Sequence, residues 1–188
     1  MKLNLGCGSK IINGHVNVDK YNLYNVDLVH DLECFPYPFD DDVVDEILLA
    51  HVLEHLGQDP NIFNKIIKEL YRICKKGATI NIIVPHPRSD DFLADPTHVR
   101  PITAFGLSLY DKALNEQWRE EGAANSPLAL IHDVNFKIEM INYSLADKFS
   151  LLLKQGKVDQ ETIQYYSEHY YNVVKQIEIK WRVVKSEI

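Results

Sequence analysis

The residues best placed to do chemistry come at the start of the chain. A short apolar run from Lys2 to Leu5 enters Gly6-Cys7-Gly8, a second run ends at Asp19, and a third ends at Asp31. Glycines after the first run let the backbone approach a ligand with no Cβ in the way. An acid at the tip of the next strand offers two acceptor oxygens to a ribose diol, and an acid one strand further out falls where an adenine amine would reach. This order predicts a nucleoside lying across the carboxyl edge of a parallel sheet. It is not the NAD fingerprint, which needs Gly-x-Gly-x-x-Gly and an acid about 20 residues on. Here the third glycine position is Ile11, and Asp19 follows Gly8 by eleven positions. No Gly-Lys-Ser/Thr follows the glycines, which excludes a P-loop.

A second polar cluster runs through His86-Pro87-Arg88-Ser89-Asp90-Asp91 and Asp95-Pro96-Thr97-His98-Val99-Arg100-Pro101. It follows a strand-like run, and loops at strand carboxyl ends line the ligand crevice of an open α/β sheet. Asp95-Pro96-Thr97-His98 is equally good turn chemistry, with Asp95 accepting from its own backbone. His86, Asp91, Asp95 and His98 have ligand chemistry for a divalent ion. No His-x-x-x-His or other tight spacing supports one, so no metal is expected. Glu54-His55 reads as packing or capping beyond a strand, and Asp40-Asp41-Asp42 as a solvated turn.

The elements that must position these residues alternate as in an α/β fold. Strands are expected at Lys2–Leu5, His15–Val18, Asp27–His30, Asp45–Ala50, Ala78–Val84 and Phe136–Ser144. A last one, with alternating Ile177, Ile179, Trp181 and Val183, is antiparallel in character. Asp59-Pro60 caps a helix carrying Ile62, Ile66, Leu70 and Ile73, with Gly77 as its end. Arg88–Pro101 reads as a loop and Ile102–Glu121 as one or two helices. A helical stripe from Leu145 ends at Gly156, and Asp159 caps a further helix to about Asn172. Only Ser9 to Gly14 separates the glycine loop from the second strand, whereas a parallel crossover usually takes a dozen residues or more. The first helix is therefore expected to be very short or absent.

Composition sets the outer bounds. The chain has 188 residues, 46% hydrophobic and 25% charged, which excludes a wholly disordered chain or a disulfide miniprotein. One domain spanning 1–188 is expected, with insertions at about 86–134 and 145–172. The formal charge of -7 repels phosphate backbones, which argues against DNA. Three cysteines without Cys-x-x-Cys spacing suit a reducing compartment. With no leader and no apolar run of about 20 residues, the expectation is a cytoplasmic protein with no membrane span.

Leu3-Asn4-Leu5-Gly6-Cys7-Gly8, Val16-Asn17-Val18-Asp19, His30-Asp31-Leu32 and His51-Val52-Leu53-Glu54-His55-Leu56 together resemble class I S-adenosylmethionine-dependent methyltransferases. The resemblance covers about Lys2 to Pro85. It implies a Rossmann-like, doubly wound, three-layer α/β/α fold on a mostly parallel seven-stranded sheet with an antiparallel C-terminal edge strand. It implies S-adenosyl-L-methionine as cofactor, with Gly6, Cys7 and Gly8 under its methionine and ribose, Asp19 on the ribose hydroxyls, and Asp31 with the Leu32 backbone on adenine. His51 is expected near the methyl group. Asn4 stands where the family often has an acid, and Lys10 where it often has a third glycine.

Methyl transfer to a hydroxyl or ammonium requires loss of a proton. His86 or His98 is the expected base, oriented by Asp91 or Asp95, with Arg100 binding an anionic substrate group. The sequence after the fourth strand lacks the Asn/Asp-Pro-Pro-Tyr/Phe that resembles base-amino methylating enzymes. A small molecule, sugar or protein side chain is the expected acceptor, a small molecule or glycan first among them. The alternative is a non-catalytic, methyltransferase-like binding subunit. The Leu145–Asn172 helices are expected to form a lid or a homodimer contact, and the tyrosines at 165, 166, 170 and 171 core or dimer packing.

Overall fold

The computed structural model describes residues 1–186. Seven strands form one sheet: β1 Lys2–Leu5, β2 Val16–Asp19, β3 Leu28–Val29, β4 Val44–Ala50, β5 Cys74–Pro85, β6 Phe136–Leu145 and β7 Val174–Val183. Their order is β3-β2-β1-β4-β5-β7-β6. Pairing is parallel from β3 to β5, whereas β7 runs antiparallel to both β5 and β6. The sheet therefore reverses its strand order at β1 and β4, the switch point at which open α/β sheets bind ligands. The C-terminal strand is antiparallel as expected, but it lies inside the sheet. The edge belongs to β6, because β7 returns between β5 and β6.

One face of the sheet holds the core. Register places Leu3, Ile47, Ile80 and Trp181 in one row and Leu5, Leu49, Ile82 and Ile179 in the next, all buried. Each such side chain contributes about 1.5–3 kcal/mol when fully buried. Trp181 stacks on Phe136 with ring centroids 4.0 Å apart. Helix α1, Pro60–Ile73, covers this face with Phe63, Ile66, Ile67, Leu70 and Ile73. Asp59 caps it, accepting from the Asn61 amide at 2.8 Å. The helix stops at Ile73 rather than running to Gly77, because Cys74 pairs with Val44 and starts β5. Gly77, at φ +80, instead sits in the irregular stretch where register jumps from Cys74 to Thr79.

The opposite face corrects the three-layer expectation. No helix joins β1 to β2, β2 to β3 or β3 to β4. Lys2, Glu46, Asn81, Lys180 and Arg182 point to this side by register, and none is buried. They are tied in the plane of the sheet, Lys2 to Glu46 at 2.9 Å and Lys180 to Glu139 at 3.6 Å. Where the first helix is missing, the loop from Ser9 to His15 is held by buried amides. Asn4 Nδ2 donates to the Lys10 carbonyl at 2.7 Å and to Asn17 Oδ1 at 2.9 Å, and Asn17 Oδ1 accepts from the Ile12 amide at 2.9 Å.

After β5 comes a run of short helices: α2 Asp90–Leu93, α3 Ala104–Ser108, α4 Lys112–Glu121 and α5 Leu128–His132. The first lies inside the stretch expected to be loop, capped by Ser89. Helices α6 Asp147–Lys154 and α7 Gln160–His169 stand between β6 and β7. No helix among the described residues is long and apolar enough to cross a membrane.

Candidate functional site

A cleft of about 450 Å³ opens at the carboxyl ends of β1 to β4, lined by Gly6, Asp19, His30, Asp31, Leu32, His51, Val52, His55 and Thr97 among others. Its end at β1 to β3 is built by strand tips. Gly6, at φ +64, lies so close to Val52 that an added Cβ would fall 2.6 Å from Val52 Cγ2, so only glycine fits. Gly8, at φ +50, has open space where a Cβ would stand, room for a ligand. Asp19 Oδ2 accepts from the Gly8 amide at 2.9 Å and Oδ1 from the Tyr21 amide at 3.0 Å, which fixes the carboxylate while each oxygen keeps a lone pair. Asp31 is exposed and turns on the Glu33 amide at 2.9 Å. The Leu32 carbonyl accepts from Tyr37 Oη at 2.9 Å, while its amide has no hydrogen-bond partner among the described residues. These groups fit an adenosine: acceptors for a diol and an amine, a donor for a ring nitrogen, and a backbone bare of side chains.

Cys7 is buried behind the loop, its amide on the Val18 carbonyl at 3.0 Å. Burial, then the charge of Asp19, raises its thiol above the ordinary range, so it stays protonated at neutral pH. Asn4 lies beneath the loop, both of its amide hydrogens engaged by Lys10 and Asn17, and works there as a brace.

The other end of the cleft follows β4. His51 takes φ +58, uncommon for a residue with a side chain, and its amide is held by the Ile83 carbonyl at 2.8 Å. A single 3₁₀ turn, Leu53–His55, comes next. The Glu54 side chain is fully buried, and neither carboxylate oxygen has a hydrogen-bond partner among the described residues. His51 Nδ1 is 3.5 Å from Glu54 Oε1, and this polar contact, working against burial, raises the His51 imidazole above its ordinary range. The charge of Lys10 opposes it, which puts Lys10 within electrostatic reach of the same ring.

The loop after α2 is docked onto this turn by its backbone. The Val99 and Arg100 amides both donate to the Glu54 carbonyl, at 2.9 and 3.1 Å. The Arg100 guanidinium donates through Nε and Nη2 to the Gly57 carbonyl and lies over the Phe63 ring at 4.3 Å. It is a clamp for the loop, facing away from the cleft. The docking brings His98 against His55, ring centroids 4.6 Å apart. Asp95 Oδ1 accepts from the Thr97 amide at 2.8 Å and from Thr97 Oγ1 at 2.7 Å, bonds that hold its carboxyl below the ordinary range.

The structure thus brings together Gly6, Gly8, Asp19, Asp31, Leu32 and His51, and sets Asp95 and His98 beside them. It puts His86 elsewhere, on a second cavity with Arg88, Tyr143 and helix α7. His86 Nδ1 accepts from the Arg88 amide at 3.1 Å, and burial with the Arg88 charge lowers its imidazole. Asp91 is exposed on α2 near Asn172 and Lys175. His55 and Thr97 line the cleft, with Glu54 buried beside them, although the sequence reads Glu54-His55 as packing or capping. The one signal was His51-x-x-Glu54-His55 directly after a strand, which shows no partner until the distant loop folds onto it.

Residues 15–82 match the family model of a methyltransferase domain. Among solved structures, the chain is similar to a SAM-dependent methyltransferase from Archaeoglobus fulgidus, at 17% identity and TM-score 0.61 over 96% of this chain and 85% of that one. A SAM-dependent methyltransferase from Methanosarcina mazei gives 14% identity and TM-score 0.53 over 98% and 92%. The [4+2]-cyclase SpnF gives 12% identity and TM-score 0.53 over 98% and 75%. No curated protein matches the chain.

Proposed function

We propose that the chain is a class I S-adenosylmethionine-dependent methyltransferase that moves a methyl group to an oxygen or nitrogen nucleophile of a small molecule or glycan, a reading supported by the methyltransferase-domain match over residues 15–82 and by the shared fold. The observation that carries this reading is the single cleft in which Gly6, Asp19, Asp31, Leu32 and His51 meet at the switch point of the sheet. Asp19 receives the ribose hydroxyls on its remaining lone pairs. The Leu32 amide and the Asp31 carboxylate take the adenine edge. Gly6 and Gly8 keep the floor low enough for the methionine chain, and Lys10 with His51 faces its carboxylate. When bound, the cofactor supplies an electrophilic methyl, whose bond to sulfur breaks with both electrons on sulfur as the bond to the acceptor forms. The chain's own part is positioning in a pre-formed cleft, which removes an entropic cost of about 7–11 kcal/mol in well-aligned cases. The acceptor enters at the end lined by His51, His55 and Thr97, backed by His98 and Asp95.

A second reading has its own support. The fold also serves a cyclase, and Asn4 brings no charge to the cofactor's ammonium group, so a binding subunit without turnover is the rival. Calorimetric titration with S-adenosylmethionine tests the main reading. Saturable one-to-one binding that weakens in Asp19→Ala is expected; absent binding, or a constant unmoved by that change, would overturn it.

A further inference from the structure

One ligand atom from each of Glu54, His55 and His98 lies within 4.8 Å of the other two. The hydrogen bonds around them place one proton on each imidazole. His98 Nδ1 is 2.7 Å from the Phe92 carbonyl, which can only accept, so Nδ1 carries a proton; in the neutral ring Nε2 keeps a lone pair, with Asp95 Oδ2 4.0 Å from it. His55 Nδ1 is 2.9 Å from Thr97 Oγ1, whose own hydrogen goes to Asp95 Oδ1 at 2.7 Å. His55 Nδ1 is therefore the donor in that contact, and its Nε2 also keeps a lone pair. Two imidazole lone pairs thus join a fully buried carboxylate whose oxygens have no hydrogen-bond partner among the described residues. The nearest basic group to that carboxylate, His51 Nδ1, stands at 3.5 Å, long for a hydrogen bond. A buried carboxylate met only by an imidazole at 3.5 Å is costly, and with both ligand imidazoles neutral the three groups converge as electron-pair donors, a ligand set for a cation.

We propose that Glu54, His55 and His98 bind a divalent first-row metal ion, of the zinc, manganese, iron or cobalt type, at the acceptor end of the cleft. Two imidazoles and one carboxylate suit these ions and leave coordination positions open. The outer bonds are those such sites use to fix ligand tautomers: His98 on a backbone carbonyl, and His55 through Thr97 on the Asp95 carboxylate. His55 and Thr97 also line the cleft, so the open positions face the space left for the acceptor. This deepens the methyltransferase reading and rests on it. Held by Glu54, His55 and His98, such an ion would supply a positive charge that favours ionisation of an acceptor hydroxyl, whose proton would pass to solvent. The site then selects oxygen acceptors on a hydroxyl-bearing small molecule or glycan.

The test is binding of the metal alone. Chelator-treated protein is titrated with Co²⁺ by visible absorption and with Zn²⁺ by calorimetry, with S-adenosylhomocysteine titrated separately. Wild type is expected to take one ion per chain with a cobalt spectrum of nitrogen–oxygen ligation. Glu54→Gln and His98→Gln are expected to weaken it more than 100-fold, and Thr97→Val, which removes only an outer bond, by about 10-fold. S-adenosylhomocysteine affinity is expected to stay within threefold in His98→Gln, and circular dichroism with thermal unfolding reports that all three variants are folded. Absence of a stoichiometric ion, or equal affinity in wild type and Thr97→Val together with either ligand variant, would overturn the site. Metal bound without any S-adenosylhomocysteine binding would support the site and sink the methyltransferase reading instead.

Discussion

The two ends of the cleft are built by different means. The nucleoside end comes from the tips of β1, β2 and β3, and its groups, Gly6 to Gly8, Asp19 and Asp31, follow one another along the chain. The proposed acceptor end joins His51, Glu54 and His55, just after β4, to Asp95, Thr97 and His98, forty or more residues away, through a loop clamped on the Glu54 and Gly57 carbonyls. One end is fixed by strand register, the other by a docking that register does not specify. If the two ends serve cofactor and acceptor as proposed, substitutions at one are expected to leave the other intact.

The largest effect is expected at the joint between the ends. Gly57, at φ +63, stands where an added Cβ would fall 2.5–2.8 Å from Phe63 atoms, and its amide and carbonyl bind Glu33 and Arg100. Gly57→Ala combines left-handed strain with overpacking and is expected to lower stability by roughly 2–4 kcal/mol. Thermal unfolding checks this, and a change within 0.5 kcal/mol, on the order of an exposed-site substitution, would mean the clamp is not as described.

Asp19→Ala is next and addresses the nucleoside end alone. Loss of two charge-assisted hydrogen bonds is expected to weaken S-adenosylhomocysteine binding roughly 10- to 100-fold, read by calorimetry, with thermal stability little changed. Arg100→Ala addresses the acceptor end. It frees the loop from Gly57 and is expected to cost about 1–2 kcal/mol and lower turnover, leaving S-adenosylhomocysteine affinity within about threefold. Equal losses of affinity in the two variants would break the comparison. His86→Ala, in the other cavity, is expected to leave that affinity within about twofold of wild type.

The smallest effect concerns acid stability away from the site. Hydrogen bonding to Arg72 holds the Glu69 carboxyl below its ordinary 4.5, and Glu69 Oε2 accepts from the Tyr37 amide at 2.6 Å. A carboxyl depressed on folding stabilises fully above its unfolded value, and that contribution is lost as pH falls through the lower folded value. The melting temperature is therefore expected to drop on acidification below about pH 4.5, less steeply in Glu69→Gln than in wild type. Parallel slopes in thermal scans at several pH values would remove Glu69 from the account.

How much of this was legible in the sequence follows from the same contrast. The five parallel strands and the glycine loop could be read because alternating apolar runs and strand-tip acids are local signals. The missing first helix was legible too, since six residues cannot make a crossover. The missing third layer was not drawn from it, although Lys2, Asn4 and Glu46 alternate with buried Leu3, Leu5 and Ile47. That alternation marks strands with one polar face. The position of β7 inside the sheet depends on long-range pairing with β5, which no local pattern encodes. Glu54 was read as packing because a carboxylate in an apolar context has no visible partner until the loop at 95–100 is folded against it. His86 drew attention by standing at a strand end, yet its Nδ1 is satisfied two residues on by the Arg88 amide.

The most direct measurement is a crystal structure with S-adenosylhomocysteine. The ribose hydroxyls are expected on the Asp19 carboxylate, adenine at Asp31 and the Leu32 amide, and the sulfur toward His51, His55 and Thr97. A nucleoside lodged against His86 and α7, or an adenosine reversed so that its base meets His51, would contradict that placement.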